Sequence, residues 1–145
     1  IIVVCDRSSA TGAVIYVNGA TTLGKSAFAP DDYSSPENVS ISADLTIGSK
    51  TGGGNAILGN IDEVAIWTHA DLSDFDSNAA AAVYNSGKPF DLRHDRGNYD
   101  AFTSKLVGYW RMNDGSGTTV VDSSANSNNG TLTSDATFGT DTPDD

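Results

Sequence analysis

Apolar and polar residues alternate over short runs along this chain, which is the pattern of half-buried β-strands. The β-branched run at residues 1–6 (IIVVCD) predicts one strand. The run at residues 13–19 (AVIYVNG) predicts a second strand that ends in an Asn-Gly hairpin turn. The longest strand candidate covers residues 57–67 (ILGNIDEVAIW). Shorter runs predict further strands at residues 38–42, 45–49, 106–112, 118–122 and 131–133.

A single segment has apolar residues at helical rather than alternating spacing. We predict a helix from about residue 74 to residue 85, with Ser73 as its N-cap and acidic residues in its first turn. Gly87 and Pro89 then supply the stop signal. Because strands and helices do not alternate along the chain, the pattern favours an all-β fold, an antiparallel two-sheet β-sandwich with one short helix.

Charge and composition narrow the classes of function. The 145 residues carry a formal net charge of −11, which repels nucleic-acid phosphates and anionic membrane surfaces. No run approaches the roughly 18 apolar residues of a membrane span. We therefore expect neither nucleic-acid binding nor membrane insertion. Cys5 is the only cysteine, so no intrachain disulfide can form, and its apolar surroundings predict a buried thiol.

Three segments resemble the laminin-G-like and concanavalin A-like jelly rolls. They are YVNG at residues 16–19, the stretch from GNIDEVAIW to YNSGKP at residues 59–89, and YWRMNDGSGTTVVDSSANSNNGTL at residues 109–132. The third segment looks like a strand pair of that family, here about an NDGSG turn. In the family pattern the D-S-S-x-N segment opens the domain, whereas here it follows the IDEVAIW strand. Either a second domain begins near Leu106, or the last strands complete the sheet.

This order of motifs is similar to the C-terminal end of repeated laminin-G-like domains in structural proteins of marine bacteriophages. The resemblance implies a main sandwich part at residues 1–105 whose first strands lie upstream or on a neighbouring chain. It also implies a completing or domain-opening strand pair at residues 106–135. The composition of residues 136–145 predicts a loose tail.

The same resemblance implies a non-enzymatic structural or adhesive module on a virion surface, such as a capsid decoration or a fibre. Its expected partners are other virion chains, further copies of itself or cell-surface glycans. The alternative is a carbohydrate-binding module of a secreted bacterial enzyme or adhesin, which would be extracellular.

Catalysis of the kind found in this superfamily is not expected. Its laminarinase-like members carry an E-x-D-x-E motif, whose two glutamates act as nucleophile and acid. The matching positions here are Asn60, Asp62 and Val64. Because an amide cannot be that nucleophile and a valine cannot donate a proton, we expect no catalytic residue on this strand and no enzymatic activity.

One loop holds the candidate ligands for a metal ion. Asp122, Asn126 and Asn128 place hard oxygen donors close together in the sequence, and Asp114 faces them across the predicted hairpin. Calcium prefers such donors, so it is the one cofactor that the sequence suggests. The alternative is that Asp122 and Ser123 form hydrogen bonds with their own backbone and hold the turn.

Sugar binding needs exposed aromatic side chains in a shallow site. Tyr33, in the loop DDYSSPE, is the aromatic residue best placed to stack on a sugar ring. Trp67 and Trp110 lie in apolar strand candidates, so we expect both indole rings to pack in the core instead.

Overall fold

The structure, a computed structural model, describes residues 1–5, 13–23, 44–50, 55–68, 75–100, 103–133 and 135–139. In this part of the chain the strands form one sheet of three strands and two sheets of two, and every pairing is antiparallel. The strands are β1 (Ile2–Cys5), β2 (Ala13–Val17), β3 (Ala20–Leu23), β4 (Val64–Trp67), β5 (Leu106–Trp110), β6 (Thr119–Val120) and β7 (Gly130–Thr131). The helical elements in the described ranges are α1 (Ser77–Tyr84) and two 3₁₀ turns, Asn85–Gly87 and Thr103–Lys105. A mostly β chain with one α-helix is confirmed, and the two-sheet sandwich stays a prediction.

The chain forms two compact units that are interleaved along the sequence. Unit 1 comprises Ile1–Asn38, His69–Phe102 and Pro143–Asp145, and unit 2 comprises Val39–Thr68 and Thr103–Thr142. Unit 1 holds β1, β2, β3 and α1, and unit 2 holds the remaining strands. Within the described ranges, no helix is long and apolar enough to cross a membrane.

The predicted Asn-Gly hairpin is confirmed in unit 1. Asn18 and Gly19 have φ angles of 52° and 72°, as the favoured two-residue turn between antiparallel strands requires. They join β2 to β3, and β1 pairs with β2 from Ile2 opposite Tyr16 onwards. A Cβ atom on Gly19 would lie 2.9 Å from the Cβ of Tyr84 in α1, so this position needs glycine for space as well as for φ.

Helix α1 begins later than predicted. Its N-cap is Asp76, whose extended backbone lets the side-chain Oδ1 accept hydrogen bonds from the N–H groups of Asn78 at 2.8 Å and Ala79 at 2.9 Å. The predicted N-cap Ser73 is therefore wrong, and Ser73 itself lies outside the described residues. Serine and aspartate are both good N-caps, so the sequence could not choose between them. The helix ends at Tyr84, and the predicted stop is confirmed by the following 3₁₀ turn, in which Gly87 has a φ of 80°.

Several strand predictions in unit 2 need correction. Of the candidate at residues 57–67 only β4 is a strand, because Glu63 has a φ of 50° and bends the backbone just before it. Residues 45–49 form a bend and no strand, and residues 38–42 lie outside the described part of the chain. Fewer residues form strands than predicted because alternation of apolar and polar residues shows which face of a strand could be buried, but it does not show whether a partner strand is present.

The pairing of β5 also differs from the prediction. β5 pairs with β4, from Val64 opposite Trp110 to Trp67 opposite Leu106. The expected hairpin about the NDGSG turn is reduced to a single bridge between Trp110 and Asp122, while β6 pairs with β7. Strand β5 is therefore held by a long-range partner on one side and by a loop on the other.

Burial confirms the prediction that Trp110 packs in the core and overturns the prediction that Cys5 does. Trp110 is buried, and its ring lies so close over Gly108 that no Cβ atom would fit there. Trp67 is only half-buried. The buried thiol predicted for Cys5 is wrong, because burial alternates along β1 and places Cys5 with Val3 on the exposed face. The buried apolar residues in the described part are Tyr16, Ala79, Ala80, Leu92, Tyr99, Leu106, Tyr109, Trp110 and Val120.

Candidate functional site

The candidate site is the loop that links β6 to β7 in unit 2. Its sequence DSSANSNN, residues 122–129, is rich in short polar side chains that favour turns over strands. Asp122 begins the loop and is 6 % exposed, the only buried polar or charged residue in the part of the chain that the structure describes. A buried carboxylate must be compensated, so its partners decide what the loop does.

Four hydrogen bonds compensate the Asp122 carboxylate. Oδ1 accepts from the backbone N–H of Tyr109 and of Ser124, both at 2.8 Å. Oδ2 accepts from the Ser124 hydroxyl and the backbone N–H of Asn128, again at 2.8 Å. Burial alone would raise the pKa of Asp122, but these donors outweigh it and hold the pKa below its ordinary value. The carboxylate is therefore a fixed anion that joins β5 to both halves of the loop.

Amide side chains complete the attachment of the loop to β5. The Asn126 Nδ2 donates to the carbonyl oxygens of Leu106 at 2.7 Å and Val107 at 3.1 Å. The Asn128 Nδ2 also donates to the Val107 carbonyl, at 2.8 Å. The Asn129 Oδ1 accepts from the backbone N–H of Asp122 at 2.9 Å. We call these side chains the Asp122 clasp, and its members are Asp122, Ser124, Asn126, Asn128 and Asn129.

The indole of Trp110 forms the apolar support of this clasp. Its Nε1 donates to the carbonyl of Asn128 at 2.8 Å, while the ring stays buried. A tryptophan that packs in the core and still satisfies its N–H is well placed to fix a loop. Trp110 therefore belongs to the same assembly as the polar side chains, and it does not present its ring for sugar stacking.

The predicted calcium ligands are only partly brought together. Asp122, Asn126 and Asn128 lie in the clasp, whereas Asp114 uses its own carboxylate to accept the backbone N–H of Val121 at 3.2 and 3.3 Å. Calcium needs six to eight oxygen ligands directed at one point. Here the Asp122 oxygens face N–H and O–H donors, and the two amide nitrogens face carbonyls.

This arrangement fits the alternative, in which Asp122 holds its own turn, better than it fits a calcium shell. Among the described residues, no three His, Cys, Asp or Glu side chains are grouped in a way that could hold a metal ion. Calcium binding at the clasp stays a prediction, which a chelator can test.

A second polar cluster in unit 2 was missed by sequence reasoning. The Glu63 carboxylate accepts hydrogen bonds from the Tyr109 hydroxyl and from the Arg111 Nε, the latter at 3.1 Å. Burial raises the pKa of Glu63, as does Asp62, while Tyr109 and Arg111 oppose the rise. The signal in the sequence was weak, namely an acid just before one apolar run and a base just after another.

This cluster offers a fixed ion pair and not a pair of catalytic carboxylates. Glycoside hydrolysis needs two carboxyl groups on either side of the scissile bond. Glu63 is committed to Tyr109 and Arg111, and Asn60 and Val64 cannot supply the second carboxyl group. The cluster therefore links the bend before β4 to the end of β5.

The sugar-binding candidate cannot be placed, because Tyr33 lies outside the described residues. Comparisons with known proteins assign no family, since no protein-family model, curated protein or solved structure matches the chain. The resemblance to laminin-G-like domains therefore rests on the motifs at residues 16–19, 59–89 and 109–132, and it stays a prediction.

Proposed function

We propose that this chain is a non-enzymatic structural or adhesive module of a phage or virus surface protein, with a laminin-G-like β-sandwich as its fold. The mostly β composition and the antiparallel pairing of every described strand are consistent with that architecture. The net charge of −11 suits a protein that meets other proteins or solvent more than nucleic acid. The assignment to a virion surface is supported by the resemblance of the motifs alone.

The non-enzymatic part of the proposal is supported by the hydrogen bonds of the Asp122 clasp, which are all made within the chain. This loop has the highest density of potentially reactive or ligating groups in the motifs that the sequence singled out. Its buried carboxylate accepts four internal hydrogen bonds, and its amides bind backbone carbonyls of β5. Groups engaged in this way stabilise backbone geometry, and they are not free to activate a substrate.

Labelling of whole particles tests this proposal directly. Antibodies raised against the chain should decorate the surface of intact virions in electron micrographs, and pre-absorption with the purified chain should abolish the label. Label confined to the interior or absent from particles would contradict a virion-surface role.

Two parallel assays separate the neighbouring functions. Binding on a glycan array that is competed by free oligosaccharide, without particle labelling, would favour the carbohydrate-binding alternative. Release of reducing sugar from β-glucans that disappears in Glu63→Gln would contradict the non-enzymatic proposal, because Glu63 is a half-buried acid in the segment that aligns with the glucanase motif.

A further inference from the structure

An exposed aliphatic surface in unit 2 is not explained by the clasp. Five of the nine exposed large apolar residues in the described ranges come from residues 44–61. Leu58 is fully exposed at 100 %. Single exposed apolar residues are ordinary, but a group of them marks an interaction surface. We call this group the aliphatic surface, and its members are Leu45, Ile47, Ile57, Leu58 and Ile61.

Contacts at Gly48 bring the two halves of this surface together. The backbone N–H of Ile57 donates to the Gly48 carbonyl at 2.8 Å. A Cβ atom on Gly48 would lie 2.8 Å from the Cδ1 of Ile61, so that side chain packs directly on the Gly48 backbone. The hydroxyl of Thr46 donates to the Ser49 carbonyl at 2.9 Å and fixes the bend that contains Gly48. The bend around Gly48 and the segment at residues 57–61 thus lie side by side.

The chemistry of the surface and the net charge of the chain select the partner. No ring is present among the five side chains, so the stacking that sugars use is not available. Asp44 and Asp62 adjoin the surface in the sequence, Lys50 is the one basic residue between them, and the chain as a whole carries a net charge of −11. A second copy or an anionic membrane would bring like charge to this surface, whereas a basic partner is attracted to it.

We propose that the aliphatic surface docks a protein partner that presents apolar side chains surrounded by lysine or arginine. This inference rests on the proposed function and names the partner chemistry of the module. The apolar contact supplies affinity, and the opposite charges supply attraction at long range and selectivity between partners.

Three synthetic peptides probe the surface on the full chain. One alternates leucine and lysine, the second replaces leucine with serine, and the third replaces lysine with glutamate. Fluorescence anisotropy should show binding of the leucine–lysine peptide only, with affinity that falls as salt is raised. Equal affinity for the serine–lysine peptide would show that charge alone drives binding. Equal affinity for the leucine–glutamate peptide would show that opposite charge makes no contribution. Either result overturns the proposal.

Matched variants locate the binding. Ile57→Ser combined with Leu58→Ser should weaken the leucine–lysine peptide about tenfold or more, because apolar area at the contact is lost. Val121→Ser, which removes an exposed valine of the same unit, should leave the affinity unchanged. Unchanged affinity in the double variant, or an equal loss in Val121→Ser, would place the binding elsewhere and contradict the proposal.

Competing occupants have their own readouts. Self-association in sedimentation that Leu58→Ser abolishes would assign the surface to a second copy, and binding to phosphatidylcholine vesicles would assign it to a lipid surface. Both results overturn the proposal. Particle labelling does not depend on this surface, so labelled virions with no peptide binding would refute the docking inference and leave the proposed function standing.

Discussion

Each unit contains an aspartate whose carboxylate accepts hydrogen bonds from backbone N–H groups, but the two differ in how far away along the chain those groups lie. Asp76 in unit 1 accepts N–H groups two and three residues further along the chain, at an exposed helix end. Asp122 in unit 2 accepts the N–H of Tyr109, thirteen residues away, at a buried position. A carboxylate that accepts backbone N–H groups therefore has only a local effect when solvent surrounds it. It joins separate elements when burial leaves those groups no other partner.

The largest expected effect concerns the apolar support of the clasp. Trp110→Ala should lower the free energy of unfolding by about 3–5 kcal/mol, because it removes a buried ring and leaves a cavity beside β5. Urea titration of both proteins measures the loss. A loss below about 1 kcal/mol would mean that the ring is not part of the core and that the clasp stands without it.

The clasp itself comes next. Asp122→Ala should lower the free energy of unfolding by about 2–4 kcal/mol, because the buried N–H of Tyr109 loses its acceptor and the loop loses one of its links to β5. Thermal melts of the wild type with and without EDTA should coincide if the carboxylate only holds the turn. A melting temperature that EDTA lowers, and that becomes insensitive to EDTA in Asp122→Ala, would establish the calcium alternative.

Acid should weaken the buried clasp in a defined direction. Folding lowers the pKa of Asp122 below its ordinary value of 3.8, so the folded chain binds that proton less tightly than the unfolded chain. The stabilisation is therefore complete above about pH 4 and is lost as the pH falls through the lowered pKa. Denaturant titrations at several pH values between about 5 and 2, on either side of the ordinary carboxyl pKa of roughly 4, measure the free energy of unfolding. That free energy should fall less steeply with acid in Asp122→Asn than in the wild type. Parallel declines would contradict this role of the carboxylate.

The smallest effect is expected at the local counterpart. Asp76→Ala should lower the melting temperature by only about 2–4 °C, because an exposed helix cap loses its side-chain acceptor while water can replace it. Asp76→Ser should restore most of the loss, since serine is an equally suitable cap. A decrease as large as that of Asp122→Ala would break the distinction between local and long-range carboxylates.

The same distinction separates the fold predictions that succeeded from those that failed. The Asn18-Gly19 turn was predictable because a positive φ at both residues is a local preference. The start of α1 was not, because Ser73 and Asp76 are both acceptable caps. The partner of β5 was missed because it lies about forty residues earlier, at Val64–Trp67, and alternation within a strand does not encode its neighbour.

The candidate site shows the same division at the level of side chains. The loop was identified from its residue types, and Asp122, Asn126 and Asn128 do lie together. Their hydrogen-bond partners come from the backbone of β5, which no spacing in the loop indicates. Glu63 was overlooked because its partners, Tyr109 and Arg111, are brought to it only by the pairing of β4 with β5.

The sequence by itself therefore determined short strands, a helix, a tight turn and a polar loop, since backbone preferences act over a few residues. The tertiary structure decided which strands pair, that Cys5 faces outward and that Asp122 is a buried clasp. Those outcomes depend on which groups from separate parts of the chain become buried next to one another. That selection is a property of the assembled unit, because a buried carboxylate or N–H group must find its partner wherever the fold brings one within reach.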